Sequence, residues 1–365
     1  MAKLIVGVIF GGQSGEHEVS LNSAVSVINA LDRLKYEVVP IGISKEGKWV
    51  LGTNPDQVLA DGDFAAQLVP VALSTDPSHA GLISLAGDHE FTQIDVVFPV
   101  LHGTYGEDGS IQGLLELADI PYVGAGVLGS AVGMDKIIMK NLFAQAGLDQ
   151  AEYLSFTRKE WETKSAEVLD QIEVGLGYPC FVKPANLGSS VGISKAHDRE
   201  SLQHALALAA QFDRRIVVEE FIAGREIEVS ILGNDVPVAS LPGEILPCNE
   251  FYDYKAKYID GNSGLVIPAK LPQSITESVR ESAIKAFNSL DCAGLARADF
   301  FVTTKENRVL INEINTMPGF TQISMYPKLW EASGLTYPNL LDKLIELALE
   351  RHAEKNKRKT SFELE

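Results

Sequence analysis

The start of the chain constrains the fold most. Leu4 to Phe10 is an unbroken apolar run rich in β-branched residues, and it stops at Gly11-Gly12. Such a run suits a strand covered on both faces, the usual state of a parallel strand. Val19 to Leu31 then carries apolar residues at helical spacing, and Tyr36 to Ile43 is a second strand-like run. Strand, helix and strand in that order predict a parallel sheet. Ile94 to Leu101 reads as another buried strand, followed by the glycine-rich His102–Gly109 and a helix over about Ser110–Ala118. Residues 45–92, broken by Pro55, Asp61-Gly62 and Pro77, give no clear assignment.

The second half changes character. Met134–Ala146 reads as a helix and Phe181–Lys183 as a strand leading into the loop Asn186–Gly192. Asp198 caps a helix to about Gln211, Ile216–Ile222 is a strand, and Ile275–Leu290 is a long amphipathic helix. Short strands with Gly and Pro breaks here predict antiparallel pairing, so the chain reads as α/β followed by α+β. The last residues, Arg351–Glu365, lose apolar periodicity and are expected to fray.

Composition narrows function. A chain of 365 residues predicts two or three domains. The 31 Lys+Arg against 49 Asp+Glu leave a formal charge of −18, which disfavours nucleic acid or anionic lipid as partners. The three cysteines, Cys180, Cys248 and Cys292, sit in no C-x-x-C spacing and read as buried thiols of a reducing compartment. No apolar stretch approaches the roughly 18 residues of a membrane span. The first apolar run is too short for a signal peptide, so a cytoplasmic location is expected.

The chemistry concentrates near the C-terminus. Ala296-Arg-Ala-Asp-Phe300 and Asn312-Glu-Ile-Asn315 both lie in strand-like surroundings. Residues two apart on a strand share a face, so Arg297 goes with Asp299 and Glu313 with Asn315. A hairpin loop of Lys305–Asn307 would set Asp299 opposite Glu313 and Arg297 opposite Asn315. An Arg–Asp bridge would account for one segment alone. Two carboxylates and an amide oxygen on one patch fit Mg²⁺ better, because burying them without a cation is costly.

Basic residues complete the pattern. Lys183 ends an apolar strand beside Gly188-Ser189-Ser190-Val191-Gly192, in outline a phosphate clamp. Lys136 opens a helix, where a cation opposes the helix dipole unless an anion is present. With the acidic patch, these point to a nucleoside triphosphate. Glu16, at the carboxyl end of the first strand, serves equally well as an ammonium ligand or as a dipole-stabilising helix cap. His102 is either a satisfied structural histidine or a site residue. Gly124-Ala-Gly-Val-Leu-Gly129 matches G-x-G-x-x-G, yet its strand is barely formed and the expected acidic residue falls in a turn at Asp149. A nicotinamide site there would leave the acidic patch unexplained.

The chain resembles the D-alanine–D-alanine ligases, ATP-grasp enzymes, along nearly its whole length. The matching stretches are FGGQSGEHEVSLNSA, FPVLHGTYGEDGSIQGLLEL, MDK, FVKPANLGSSVG, GREIEVSILG, FYDYKAKYI, GLARADFF and INEINTMPGFTQISMYPKLW, in family order. The resemblance implies an ATP-grasp fold: an N-terminal α/β domain over 1–125, a central domain over 126–223, a C-terminal domain over 224–350, then the tail. It implies ATP-dependent joining of two D-alanines through an acyl phosphate, for peptidoglycan precursor synthesis.

The same resemblance implies roles. Lys136, Lys183 and Lys257 would contact the ATP phosphates, with Ser190 beside them. Glu219 and the backbone of Phe221 and Ile222 would read adenine, and Glu226 the ribose. Asp299, Glu313 and Asn315 would bind two Mg²⁺, with Mn²⁺ able to replace it. Glu16 would hold the first D-alanine's ammonium, linked to Ser189 and Tyr258, with His102 near its carboxylate. Ser324 would take the second carboxylate, and Arg297 with the Gly319 N–H would meet the oxyanion. Tyr258 points to a dipeptide product, because members that join D-lactate depart at this position. A homodimer is also implied.

Overall fold

In the computed structural model, the described residues are 2–52, 54–61, 68–87, 90–188, 191–246 and 264–359. The expected strand–helix–strand unit is present: β1 (Leu4–Gly11), α1 (His17–Ala30) and β2 (Tyr36–Ile43), with β1 and β2 parallel. Then come β3 (Trp49–Leu51), α2 (Pro55–Asp61), β4 (Val69–Leu73), β5 (Gly81–Ser84), β6 (Phe91–Gln93), β7 (Val96–Pro99) and α3 (Ser110–Leu117). β7 pairs parallel to β1 on its other side, and the sheet runs β6-β5-β4-β3-β2-β1-β7. The stretch the sequence left unassigned is therefore the antiparallel extension of this sheet, made of strands too short to show a period.

Next are α4 (Val127–Met134), α5 (Lys136–Gln145), β8 (Tyr153–Thr157), α6 (Arg158–Thr163), α7 (Ser165–Gly175), β9 (Cys180–Pro184), β10 (Ser194–Ala196), α8 (Arg199–Phe212) and β11 (Arg215–Glu220). The helix expected over Met134–Ala146 is α5, which starts two residues later: Met134 ends α4, and Asp135 between them leaves helical geometry and caps α5. The second sheet, β10-β9-β11-β8, is antiparallel throughout. Alternation gives it two faces. Cys180, Val182, Ile216 and Val218 go into a core with α7 and α8, whereas Phe181, Lys183 and Glu219 look into a cleft.

The third sheet is built from β12 (Gly224–Gly233), β13 (Val238–Ala239), β14 (Gly243–Leu246), β15 (Gly264–Val266), β16 (Gly294–Thr303) and β17 (Val309–Asn315), ordered β15-β14-β12-β16-β17 with β13 on β12. The helices are α9 (Gln273–Ser289), α10 (Met325–Ala332) and α11 (Tyr337–Lys355). Ala296, Ala298, Phe300 and Val302 of β16 pack with Val279, Ala283 and Phe287 of α9, which leaves Arg297 and Asp299 facing the cleft.

The cores do not follow sequence order. Val6, Val8 and Phe10 of β1 share one cluster with Tyr326 of α10 and Leu340, Leu341, Leu344 and Ile345 of α11. The first and last parts of the chain are thus one packed body, while the β8–β11 sheet has its own core. Residues beyond 350 were expected to fray, but α11 continues to Lys355. Arg351 lies over the Tyr122 ring at 4.1 Å, His352 Nε2 is 3.1 Å from Asp119 Oδ1, and Lys355 Nζ is 2.7 Å from Glu116 Oε2. Polar partners at Glu116, Asp119 and Tyr122 replace the apolar periodicity that was missing. Among the described residues, no helix is long and apolar enough to cross a membrane.

Candidate active site

Each acidic and basic group of the site is placed by a strand end, a strand face or a helix start. β1 ends in Gly11, whose φ is +90° and where a Cβ would lie 2.2 Å from Ile43 O, so the turn requires glycine. The chain then reaches Glu16, the N-cap residue of α1, which is buried and makes no side-chain capping bond. The Glu16 carboxylate instead packs against two loops. A Cβ on Gly103 would meet its Oε2 at 2.6 Å, and one on Gly188 at 3.0 Å. Ser14 Oγ accepts from Glu16 N at 3.1 Å and donates to His102 O at 2.8 Å, which ties the loop after β1 to the loop after β7.

His102 is buried. Its Nδ1 is 3.2 Å from Met317 O, which can only accept, so Nδ1 carries the proton and Nε2 accepts from Ser23 Oγ at 3.0 Å. Burial holds its pKa below the usual range, against the pull of Glu16, and the ring is neutral at pH 7. Glu107 Oε1 lies 3.8 Å from His102 Nδ1 and accepts from Gly103 N at 2.7 Å. Burial, and then the charge of Glu16, push the Glu107 carboxyl well above the ordinary carboxylate range. Sequence reasoning passed over Glu107. Its one signal was its place in the glycine-rich loop after a buried strand.

On the third sheet Arg297 pairs with Asn315 and Asp299 with Glu313, the expected register. The route to it differs. Thr303 N donates to Arg308 O, so the loop is one residue longer than expected, and a bulge between Asp299 and Phe300 restores the register. With the bulge, Ile311 and Ile314 both enter the core while Asn312 and Glu313, adjacent in sequence, both face the cleft. Arg297 holds Asp299 through two hydrogen bonds of 2.7 Å and also lies 3.0 Å from Glu228. Burial opposes its charge, but Asp299 and Glu228 outweigh burial and keep the guanidinium charged. Asn315 Nδ2 donates to Asp299 Oδ2 at 3.0 Å.

Lys136, the first residue of α5, donates to Leu187 O at 2.6 Å and lies 3.9 Å from Glu313 Oε2. Asp135 caps α5 by accepting from the N–H groups of Ile137 and Ile138, and it is ion-paired with Arg215. On the second sheet Lys183 Nζ is 2.6 Å from Glu219 Oε2, and Lys140 Nζ is 3.0 Å from Glu219 Oε1. Burial would raise the Glu219 pKa, but Lys140 and then Lys183 pull it down to about 2.

These groups line three adjoining hollows. Glu16, His102, Arg297, Asn315, Gly319 and Ser324 line one of about 590 Å³. Lys183, Glu219, Phe221, Ile222, Glu226, Asp299 and Glu313 line a second of about 360 Å³, which shares Glu228 and Ile245 with the first. Lys136, with Glu107 and Gly188, lines a narrow passage that borders both. Ser324 precedes α10 and its Oγ is 2.8 Å from Thr321 Oγ1. Ser189, Ser190, Lys257 and Tyr258 lie outside the described residues.

The donor set admits a hard cation. Among the described residues no three His, Cys, Asp or Glu side chains converge as a cage. Two carboxylates and an amide on one sheet face suit a cation that takes its remaining ligands from phosphate and water. Asp299 can serve while bonded to Arg297, because a carboxylate offers about four acceptor positions. The first hollow offers a carboxylate for an ammonium and a guanidinium for an anion. The second offers lysines for phosphates and a carboxylate beside apolar walls for a base.

The chain is similar to known proteins over nearly its whole length. The family model described as "D-ala D-ala ligase N-terminus" matches residues 5–125, and "D-ala D-ala ligase C-terminus" matches 142–346. It is 55% identical over 362 residues to the D-alanine–D-alanine ligase of Natranaerobius thermophilus, covering 99% of each chain, and 53% identical to that of Bacillus cytotoxicus, covering 98% of this chain and 99% of the relative. Among solved structures it matches the D-alanine–D-alanine ligase of Coxiella burnetii with a TM-score of 0.84 at 40% identity, covering 98% of this chain and 97% of that one. VanG D-Ala:D-Ser ligase of Enterococcus faecalis matches with a TM-score of 0.86 at 36% identity, covering 95% and 100%. With the two family models together covering most of the chain, and relatives alike from end to end, the chain belongs to the D-alanine–D-alanine ligase family.

Proposed function

We propose that this chain joins two D-alanines to D-alanyl-D-alanine, converting ATP to ADP and phosphate and supplying a peptidoglycan precursor. The observation that carries the reading is the adjacency of the two hollows. Arg297 and Asp299, two residues apart on β16, line one each.

A carboxylate resists an amine because its charge repels attack and its oxygen leaves poorly. Phosphorylation removes both obstacles. A carboxylate oxygen of the first D-alanine, its ammonium held by Glu16 with His102 nearby, would attack the γ-phosphorus. The O–P bond forms as the bond to the β-phosphate oxygen breaks, and ADP is released. Lys136, Lys183 and Lys257 would hold the phosphates, with Ser190 beside them. Glu219 and the Phe221–Ile222 backbone would hold the base, and Glu226 the ribose.

Asp299, Glu313 and Asn315 would hold two Mg²⁺, or Mn²⁺ in their place, and the cations offset the charge that gathers on the phosphates. The free amine of the second D-alanine, its carboxylate held by Ser324, would attack the acyl carbon. Arg297 and the Gly319 N–H would stabilise the oxyanion, a donor contribution of about 3 kcal/mol. The amine proton passes to solvent, the acyl C–O bond breaks, and phosphate departs with that bond's electron pair. Ser189 and Tyr258 would link to Glu16. A cytoplasmic location, where ATP is made, and a homodimer complete the proposal.

Phosphate release tests the reading. D-alanine with ATP and Mg²⁺ should release phosphate and form the dipeptide, L-alanine should do neither, and Glu313→Gln should lose most turnover. Equal release with either enantiomer would contradict it.

A further inference from the structure

Two lysines on one face of α5 differ in what they can reach. Lys136 and Lys140 are four residues apart, one helical turn. Lys136 lines the passage into the cleft. Lys140 has a relative exposure of 1% and lines none of the three hollows; its Nζ lies 3.0 Å from Glu219 Oε1. Tyr153, opposite Glu219 on β8, closes the other side with its ring centroid 5.4 Å from that ammonium. Gln150 Nε2 donates to the Lys140 carbonyl oxygen at 2.9 Å and fixes the helix there. A fully buried ammonium is costly unless paired, so its place against one oxygen of one carboxylate is a specific arrangement.

Glu219 has a second partner, Lys183, on its other oxygen. The two lysines are not equivalent. Lys183 lines the nucleotide hollow, so a triphosphate there competes with Glu219 for its ammonium. Lys140 does not line that hollow and has no such competitor. When phosphates draw Lys183 off, Lys140 is the cation left to balance Glu219.

We propose that Lys140 is a positioning residue for nucleobase selection, which holds Glu219 ionised and oriented so that it accepts a hydrogen bond from the exocyclic amine of adenine. The inference rests on the nucleotide reading given above and adds the residue that makes it selective. A carboxylate with no proton only accepts, so it favours the adenine amine and disfavours the guanine carbonyl at the same position. A protonated Glu219 would lose that distinction. Burial favours protonation, and the Lys140 and Lys183 charges oppose it.

The test uses the full-length enzyme and its steady-state kinetics with ATP and GTP. Lys140→Met should raise the KM for ATP about tenfold, the loss expected when one hydrogen bond to a charged group weakens, and leave kcat within about threefold. Its ATP-to-GTP preference should fall by a similar factor. As pH is lowered, its KM for ATP should begin to climb at a higher pH than the wild-type value does, as a raised Glu219 pKa requires. Lys140→Arg should recover most of the preference.

Should Lys140→Met prove unstable, the double variant Lys140→Met/Glu219→Gln removes both buried charges. It should regain thermal stability and still discriminate poorly between ATP and GTP. A stable Lys140→Met with wild-type preference and a wild-type pH profile would overturn the proposal while leaving the nucleotide site intact. Glu219→Gln with wild-type ATP KM and preference would instead overturn the placement of the base at Glu219.

Discussion

At the scale of single residues, Glu219, Lys183 and Arg297 are charges that burial would discharge and opposite neighbours keep charged. Glu219 is the clearest case, pulled from 4.5 down to about 2 by two buried lysines. The folded state therefore binds this proton less readily than the unfolded chain. The contribution to stability is complete above pH 4.5 and is lost as pH falls toward 2, about 3 kcal/mol in all. Acid titration of unfolding should show this slope, and Glu219→Gln should flatten it; an unchanged slope would contradict the pairing. Residues of this kind are only half legible in sequence. Asp299, Glu313 and Arg297 stood out because charge in an apolar strand is anomalous. Lys140 did not, because a lysine on an amphipathic helix looks like a surface residue until the fold buries it. Glu107 was hidden among the other polar residues of its loop.

At the scale of elements, strand faces and helix starts do the positioning. Asp135 shows how much one cap can carry. It accepts from two N–H groups at the start of α5, pairs with Arg215 of the second sheet, and so aims Lys136 at the passage. Asp135→Ala should cost about 1–2 kcal/mol for the cap alone. It should also raise the KM for ATP more than the KM for D-alanine; denaturant melts and steady-state kinetics check both. Equal effects on the two substrates would show that the cap serves folding only. The third sheet teaches a related lesson about reading sequence. Alternation in β16 and β17 predicted which residues share a face, because a period of two survives local irregularity. It could not reveal that a longer hairpin and a bulge offset each other, since both register solutions pair Asp299 with Glu313. The short strands β3 to β6 were illegible for a simpler reason: three to five residues hold too few alternations to count.

At the scale of the molecule, the arrangement of cores matters more than the order of domains. Strands β1 and β7 share one apolar cluster with helices α10 and α11, which holds Glu16 and His102 against Arg297 and Ser324. The end of α11 reinforces this through Arg351, His352 and Lys355, which grip Tyr122, Asp119 and Glu116. The loss of periodicity there had suggested a frayed end, because the apolar face that makes a helix visible gives way to ion pairs with a distant segment. Removing residues 351–365 should lower the melting temperature by a few degrees, as expected when about 1–2 kcal/mol is lost from a protein of this size. The deficit should shrink at high salt, where those pairs already contribute less. A truncated protein that melts like the full chain at low salt would show that the clamp contributes nothing.

In the proposed reaction the two hollows act together, and a carboxylate oxygen leaves as part of phosphate. Turnover of D-alanine labelled with ¹⁸O in its carboxylate tests this most directly, by mass analysis of the phosphate released. One labelled oxygen should appear in each phosphate formed from fully labelled substrate. Phosphate without label, at normal dipeptide yield, would contradict the acyl phosphate route.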